Sequence, residues 1–209
     1  MSEASPYSLE RMIQALKGTR PSADLVGEAR LGVHGDVPPS LMQTQQPRPA
    51  AVLVPIVNHE QAPTVMLTVR TDHLADHAGQ ISFPGGSFEP HDRDAVSAAL
   101  REMEEEVGVG PGAIEIAGFL SPYLTITGFA VAPVVGLLRP GLPLRPDPHE
   151  VAEVFEVPLA HVLDPSEHQV IQAHIRGHDL AYYQIEWRGY RIWGATAAML
   201  VGLSRMIRP

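Results

Sequence analysis

A chain of 209 residues, 44% hydrophobic and 19% charged, can build one sizeable core and is neither collagen-like nor disordered in composition. Fifteen lysines and arginines against twenty-four aspartates and glutamates give a net charge of −9, which argues against nucleic acid, since a duplex-binding surface needs clustered cations. The absence of cysteine excludes disulfides, thiolate nucleophiles and cysteine-ligated metal centres, and no apolar stretch reaches the roughly 18–20 residues of a membrane span.

Met1 to Ser8 shows no basic patch followed by an apolar run, so the expectation is a cytoplasmic protein of one main domain. Ser5 and Pro6 suit the start of a short helix running to about Lys17, with Leu9, Met12, Ile13 and Leu16 as its apolar stripe. Residues 18–49 lack periodicity and are rich in proline, glycine and glutamine; with the helix they read as an N-terminal arm, 1–49, ahead of a domain over 50–209. Strands are expected at 51–57, 64–69 and 81–83, then a helix from about Asp94 to Val107. Further strands fall at 114–120, 129–138, 153–157 and 169–175, followed by a hairpin, 180–187 with 190–193, turning at Arg188-Gly189. A helix over 195–206 closes the chain, and Trp187 and Trp193 are expected to pack beneath it. Strands in runs with few helices between them give an α+β class.

The helix ending at Val107 is the most informative segment. At about 100° per residue, Glu102, Glu105 and Glu106 share one face, while Val96, Leu100, Met103 and Val107 form an apolar stripe apart from it. Arg101 can reach Glu105 one turn on, but one cation does not offset three carboxylates. A hard divalent ion does, because Mg²⁺ takes oxygen ligands and shares them with substrate phosphates. Just upstream, Phe83-Pro84-Gly85-Gly86 ends a strand with a backbone that a ligand can approach closely. His73 and His149 have no regular ligand spacing, so zinc is not expected.

Gly85-Gly86 together with Arg101-Glu102-Met103-Glu104-Glu105-Glu106-Val107-Gly108-Val109 resembles the Nudix box of the Nudix hydrolases. Asp92 stands where that box has its first glutamate, with one extra residue before Arg101. The longer spacing is similar to that of the coenzyme A pyrophosphatases of the superfamily. So are Leu67-Thr68-Val69-Arg70-Thr71, His77 through Gly86, and Ile192-Trp193-Gly194-Ala195-Thr196. Ala75 occupies a position where that subgroup has a basic residue.

The resemblance implies a Nudix fold, a mixed β-sheet sandwiched between helices. It implies metal ligation of Mg²⁺ or Mn²⁺ by Glu102, Glu106, Glu105 and the Gly86 carbonyl, with Arg101 orienting a carboxylate. Water attack on coenzyme A or its derivatives would yield 3′,5′-ADP and 4′-phosphopantetheine, with Glu105 or Glu150 as base. Arg70, His77, Gln80, Phe83 and Gly85 are the candidate substrate contacts, although core packing competes for Phe83. Tyr123 and Phe129 are further candidates to stack on a base. The partner is a small molecule, not nucleic acid or membrane, and a homodimer stays open. Two alternatives remain: hydrolysis of another nucleoside diphosphate derivative, such as ADP-ribose, NADH or a nucleoside triphosphate, and a catalytically silent nucleotide sensor.

Overall fold

The computed structural model describes residues 7–31, 41–42, 44, 46–72, 79–175 and 177–208. Its centre is β1 (Arg48–Val57), which pairs in parallel with β7 (Phe129–Leu138) along its whole length. On its other side β1 pairs antiparallel with β2 (Thr64–Arg70), which is flanked in turn by β3 (Ile81–Ser82) and β8 (Val151–Pro158). The short β4 (Gly85–Ser87) pairs with the start of β1, while β5 (Ile114–Phe119) and β6 (Tyr123–Leu124) pair with β7. One parallel pair among antiparallel ones makes this sheet mixed.

Alternation along β1 explains the layers. Ala50, Val54 and Ile56 face one core, which α1 (Leu9–Leu16), α4 (Leu159–Leu163) and α5 (Gly194–Ile207) cover. Ala51, Leu53 and Val57 face the other core, filled from α3 (Ala95–Val107) by Ala95, Ala98, Ala99 and Met103. Helices therefore lie on both faces of the mixed sheet. A second sheet of β9 (Gln169–Ile175), β10 (His178–Trp187) and β11 (Tyr190–Trp193) packs on the α5 side. Its hairpin turns at Arg188 and Gly189, with φ of 48° and 89°. A two-residue turn with positive φ at both positions matches the right-handed twist of the strands it joins.

Several expectations change. Ser8, not Ser5, caps α1, its hydroxyl accepting from the Arg11 amide; Ser5 lies outside the described residues. The arm carries a helix of its own, α2 (Leu25–Leu31), with Asp24 accepting from the Gly27 amide at 3.0 Å. Leu9, Met12 and Leu16 of α1 sit inside the α5-side core, so this helix is part of the packed body. Trp187 packs against that core and beside His161 of α4, but Trp193 belongs to neither core cluster. Among the described residues no helix is long and apolar enough to cross a membrane.

Candidate functional site

The acidic helix is fixed at both ends. Asp94 and Ser97 form a reciprocal capping box, and Gly108 closes α3 in the left-handed region at φ 79°, its amide donating to the Glu104 carbonyl. The alanines at 95, 98 and 99 let the helix press close to the sheet, which carries the next turns of that face inward. Glu106 is 3% exposed and Glu102 13%, whereas Glu105 is 58% exposed. The acidic face is thus not set apart from the core: two of its carboxylates point toward β4 and β2.

Burial sets the character of these groups. It pushes the Glu106 carboxyl up to about 8, only partly offset by the Gly85 amide, which donates to its Oε1 at 3.4 Å, and by Arg70. Glu102 is also raised, first by burial, against the opposing pull of Arg101. The charge of Glu150 adds a lesser repulsion to both. The chain before β8 is held there by long-range bonds: Asp147 donates its amide to the Glu106 carbonyl at 3.0 Å, and Thr71 donates its amide to the Glu150 carbonyl at 3.0 Å.

Arg101 is the hub. It forms a two-pronged pair with Asp92 at 3.2 and 3.0 Å, and its Nη1 donates to Glu102 Oε1 and Glu105 Oε2, both at 2.9 Å. Its Nη2 also donates to the Ser87 carbonyl at 3.1 Å. Asp92, with a side chain only 2% exposed, is held below the usual carboxylate range chiefly by that Arg101 contact. Sequence reasoning noted Asp92 as a departure in spacing and missed this work. The usable signal was a lone acid one loop before an arginine in a carboxylate-rich helix.

The glycine pair separates into two jobs. A Cβ on Gly85 would lie 2.5 Å from the Ala51 carbonyl oxygen, so its smallness serves the β1–β4 pairing. A Cβ on Gly86 would lie 2.3 Å from Glu102 Oε1, so its smallness makes room for that carboxylate.

Arg70, at the end of β2, brings Nη1 to 4.0 Å from Glu106 Oε1, and its buried Nε has no hydrogen-bond partner among the described residues. Gln80 accepts the Arg70 amide on its carbonyl at 2.9 Å. Phe83 does not reach this site: it is 3% exposed within the α5-side core, so its expected role as a substrate contact is replaced by packing. Phe129 and Tyr123 likewise pack against that core, with Arg48 over the Phe129 ring at 4.4 Å. His77, Ala75 and His73 lie outside the described residues.

A NUDIX domain profile matches residues 47–176. The Nudix hydrolase NudL of Escherichia coli, itself uncharacterized, is 42% identical over 165 residues, covering 79% of this chain and 85% of NudL. The chain belongs to the Nudix hydrolase family. NudL of Salmonella paratyphi B and of Shigella boydii match at the same identity and coverage. The solved Nudix hydrolase RenU from M. Smegmatis overlaps with a TM-score of 0.46 at 21% identity, over 55% of this chain and 73% of that chain.

Nudix hydrolases act on nucleoside diphosphate derivatives and generally use divalent metal ions, and the residues present fit one. Two largely buried carboxylates, one across from Arg70 and the other bonded to an Arg101 shared with Asp92 and Glu105, form a donor set short of positive charge. Among the described residues no three acidic or histidine side chains close into a ligand set. An ion held here therefore takes its other positions from backbone oxygen, water or substrate, as Mg²⁺ characteristically does.

Gly86→Ala is expected to cost roughly a hundredfold in kcat with the fold retained, since the added methyl meets the movable end of Glu102 and displaces its carboxylate. Steady-state kinetics beside a circular dichroism spectrum check it; unchanged kcat would remove Gly86 from the site.

Proposed function

We propose that the protein hydrolyses the pyrophosphate of coenzyme A or its derivatives, with Mg²⁺ or Mn²⁺, to 3′,5′-ADP and the (acyl-)4′-phosphopantetheine. The observation that carries this reading is the position of Arg70. The strand bearing the Leu67-Thr68-Val69-Arg70 signature brings its guanidinium to Glu106, with a buried N–H that has no partner among the described residues and can serve an anion.

In this reading Glu102 and Glu106, with the Gly86 carbonyl, hold the ion. A bound divalent ion neutralises phosphate oxygens and lowers the pKa of a water bound to it. Arg70 grips a phosphate oxygen and aligns the anhydride for in-line attack. Arg101 holds Glu102 in place from its anchor on Asp92. Glu150, whose charge acts on both buried carboxylates, accepts the proton of the attacking water. Glu105, turned outward to Arg101, serves the same assembly by fixing that arginine from its second side.

Incubating the protein with Mg²⁺ and a panel of coenzyme A, dephospho-coenzyme A, ADP-ribose, NADH and nucleoside triphosphates tests the reading, with products identified by mass. Release of 3′,5′-ADP and phosphopantetheine, silenced by chelator and restored by Mg²⁺ or Mn²⁺, is the expected result. Turnover of ADP-ribose or NADH in place of coenzyme A would favour the second reading, for which the missing cation at Ala75 speaks. Binding of nucleotides with no turnover would leave a silent sensor, and chelator-resistant hydrolysis would contradict the metal-dependent chemistry.

A further inference from the structure

A groove of about 490 Å³ opens on the α5 side of the main sheet, where β2 ends and the β10–β11 hairpin lies across it. Its size falls in the range of small-molecule sites. Val69, Gln80 and Glu153 line one side, and Tyr190, Arg191 and Trp193 line the other. We propose that this groove seats the nucleobase of the substrate, as an amino-bearing purine stacked on Trp193. Glu153 accepts a hydrogen bond from the exocyclic amine, and Arg191 meets a phosphate of the same nucleotide. The proposal rests on the reading of the substrate as a nucleotide diphosphate derivative.

Four observations carry it. Trp193 is a large aromatic side chain outside both core clusters, flanked by Tyr182 in a tilted pair at 5.5 Å and 59°, with the Arg191 guanidinium over it at 5.1 Å. An aromatic wall beside a movable guanidinium is the arrangement on which bases stack and phosphates settle. Secondly, the acceptor is fixed in advance. Tyr190 is stacked on Phe155 at 3.9 Å and 9°, and its hydroxyl donates to Glu153 Oε1 at 2.6 Å, which leaves Oε2 for a donor. A carboxylate there repels a bare phosphate and favours a ring that carries N–H groups.

Thirdly, the groove adjoins the chemistry. Val69 turns into the groove and its neighbour Arg70 turns to Glu106, with a register shift between them in the β2–β8 pairing. Gln80, which lines the groove, is tied to Arg70 through the backbone. A molecule gripped by its phosphates at Arg70 thus reaches the groove by passing over the end of β2. Fourthly, the groove's floor is rigid, because Thr196 at the start of α5 donates its hydroxyl to the Ile81 carbonyl at 3.1 Å.

Trp193 is its own reporter, because the chain has two tryptophans and W187F leaves it alone. Titrating metal-free W187F protein with AMP is expected to quench the fluorescence saturably, with IMP binding at least about tenfold more weakly because a carbonyl replaces the amine. E153Q is expected to narrow the difference between AMP and IMP, since an amide both donates and accepts; a merely structural role for Glu153 would leave that ratio unchanged. Should W187F fail to fold, the same titration of wild-type protein against W193F reads the same signal. In kinetics, Trp193→Leu is expected to raise KM at least about tenfold with kcat little altered.

Absence of quenching by AMP, equal affinity for AMP and IMP, or an unchanged KM in Trp193→Leu would each overturn the proposal. The two readings fail separately. AMP quenching without hydrolysis of any panel substrate keeps the groove and removes the enzymatic reading. Coenzyme A hydrolysis with an unaltered KM in Trp193→Leu keeps the enzyme and removes the groove.

Discussion

Glu106→Gln is expected to lower hydrolysis by on the order of a thousandfold while the protein still folds. Glu106 is the most buried of the three glutamates on the helix face, and the groups that favour its charge are few: one amide at 3.4 Å and one guanidinium at 4.0 Å. Without a further cation it keeps its proton up to about 8, so at neutral pH the ion-free carboxyl is already largely neutral. Glutamine reproduces the shape and neutrality of that protonated acid and still accepts from Gly85. The fold should therefore tolerate it. What glutamine cannot supply is the negative charge that holds a divalent ion and substrate phosphates together. Steady-state rates measured beside circular dichroism and thermal melts decide the matter. A folded variant with full activity would remove Glu106 from the metal-binding proposal.

Much of this site was legible because its signals are local. The spacing of Glu102, Glu105 and Glu106, the Asp94 start and the Gly108 end of α3 all lie within one helix and its caps, where periodicity reads directly. The same local reading misjudged how deep the glutamates lie. It took the larger apolar residues as the buried stripe, whereas Val96 and Leu100 are only half-buried and the small Ala95, Ala98 and Ala99 line the contact with the sheet. Alanine carries little hydrophobic signal, yet it sets how near a helix can come. That nearness, not the spacing of the glutamates, draws Glu102 and Glu106 inward.

The unread parts are those that depend on distant chain. The pairing of Asp92 with Arg101 crosses a loop, and that of Arg70 with Glu106 crosses the sheet face, so neither has a sequence period. The strands β4 and β6 are three and two residues long, too short for alternation to register, and exist through pairing with β1 and β7. In the arm, α2 has only seven residues, with a glycine among them and Ala29 as its one buried residue; its clearest cue was the Asp24 cap. Trp193, like Trp187, was expected to pack beneath the last helix. The strand alternation of β11 decides otherwise, since Ile192 is buried in the core while Arg191 and Trp193 turn to the groove, which Tyr190 also borders.

Freed of divalent ions, the protein is expected to lose stability as pH rises from about 5 to about 8, the reverse of ordinary acid denaturation. Burial raises Glu106 from its ordinary 4.5 to about 8 in the folded protein, while the unfolded chain releases that proton near 4.5. Between those values the folded state binds more protons than the unfolded one, so the free energy of unfolding falls as pH rises. The contribution is fully present below the unfolded value and is gone above the folded one. Its size is on the order of a few kcal/mol. Glu102, also raised by burial, pulls in the same direction. Asp92 pulls the other way, but its lowered value confines its effect to the range below 3.8 and leaves this window untouched. The quantity to read is the difference between wild type and Glu106→Gln, which cancels the contribution of every group the two proteins share. Thermal melts in chelator at pH 5, 6, 7 and 8 should show the wild type falling and Glu106→Gln staying flatter, with the glutamine variant the more stable of the two at pH 8. Adding Mg²⁺ at pH 8 should raise the wild type and not the variant, because the ion then stands in the place the proton has left. Parallel profiles for the two proteins would mean that Glu106 carries no raised pKa, and the charge-deficient site inferred from its burial would fall with it.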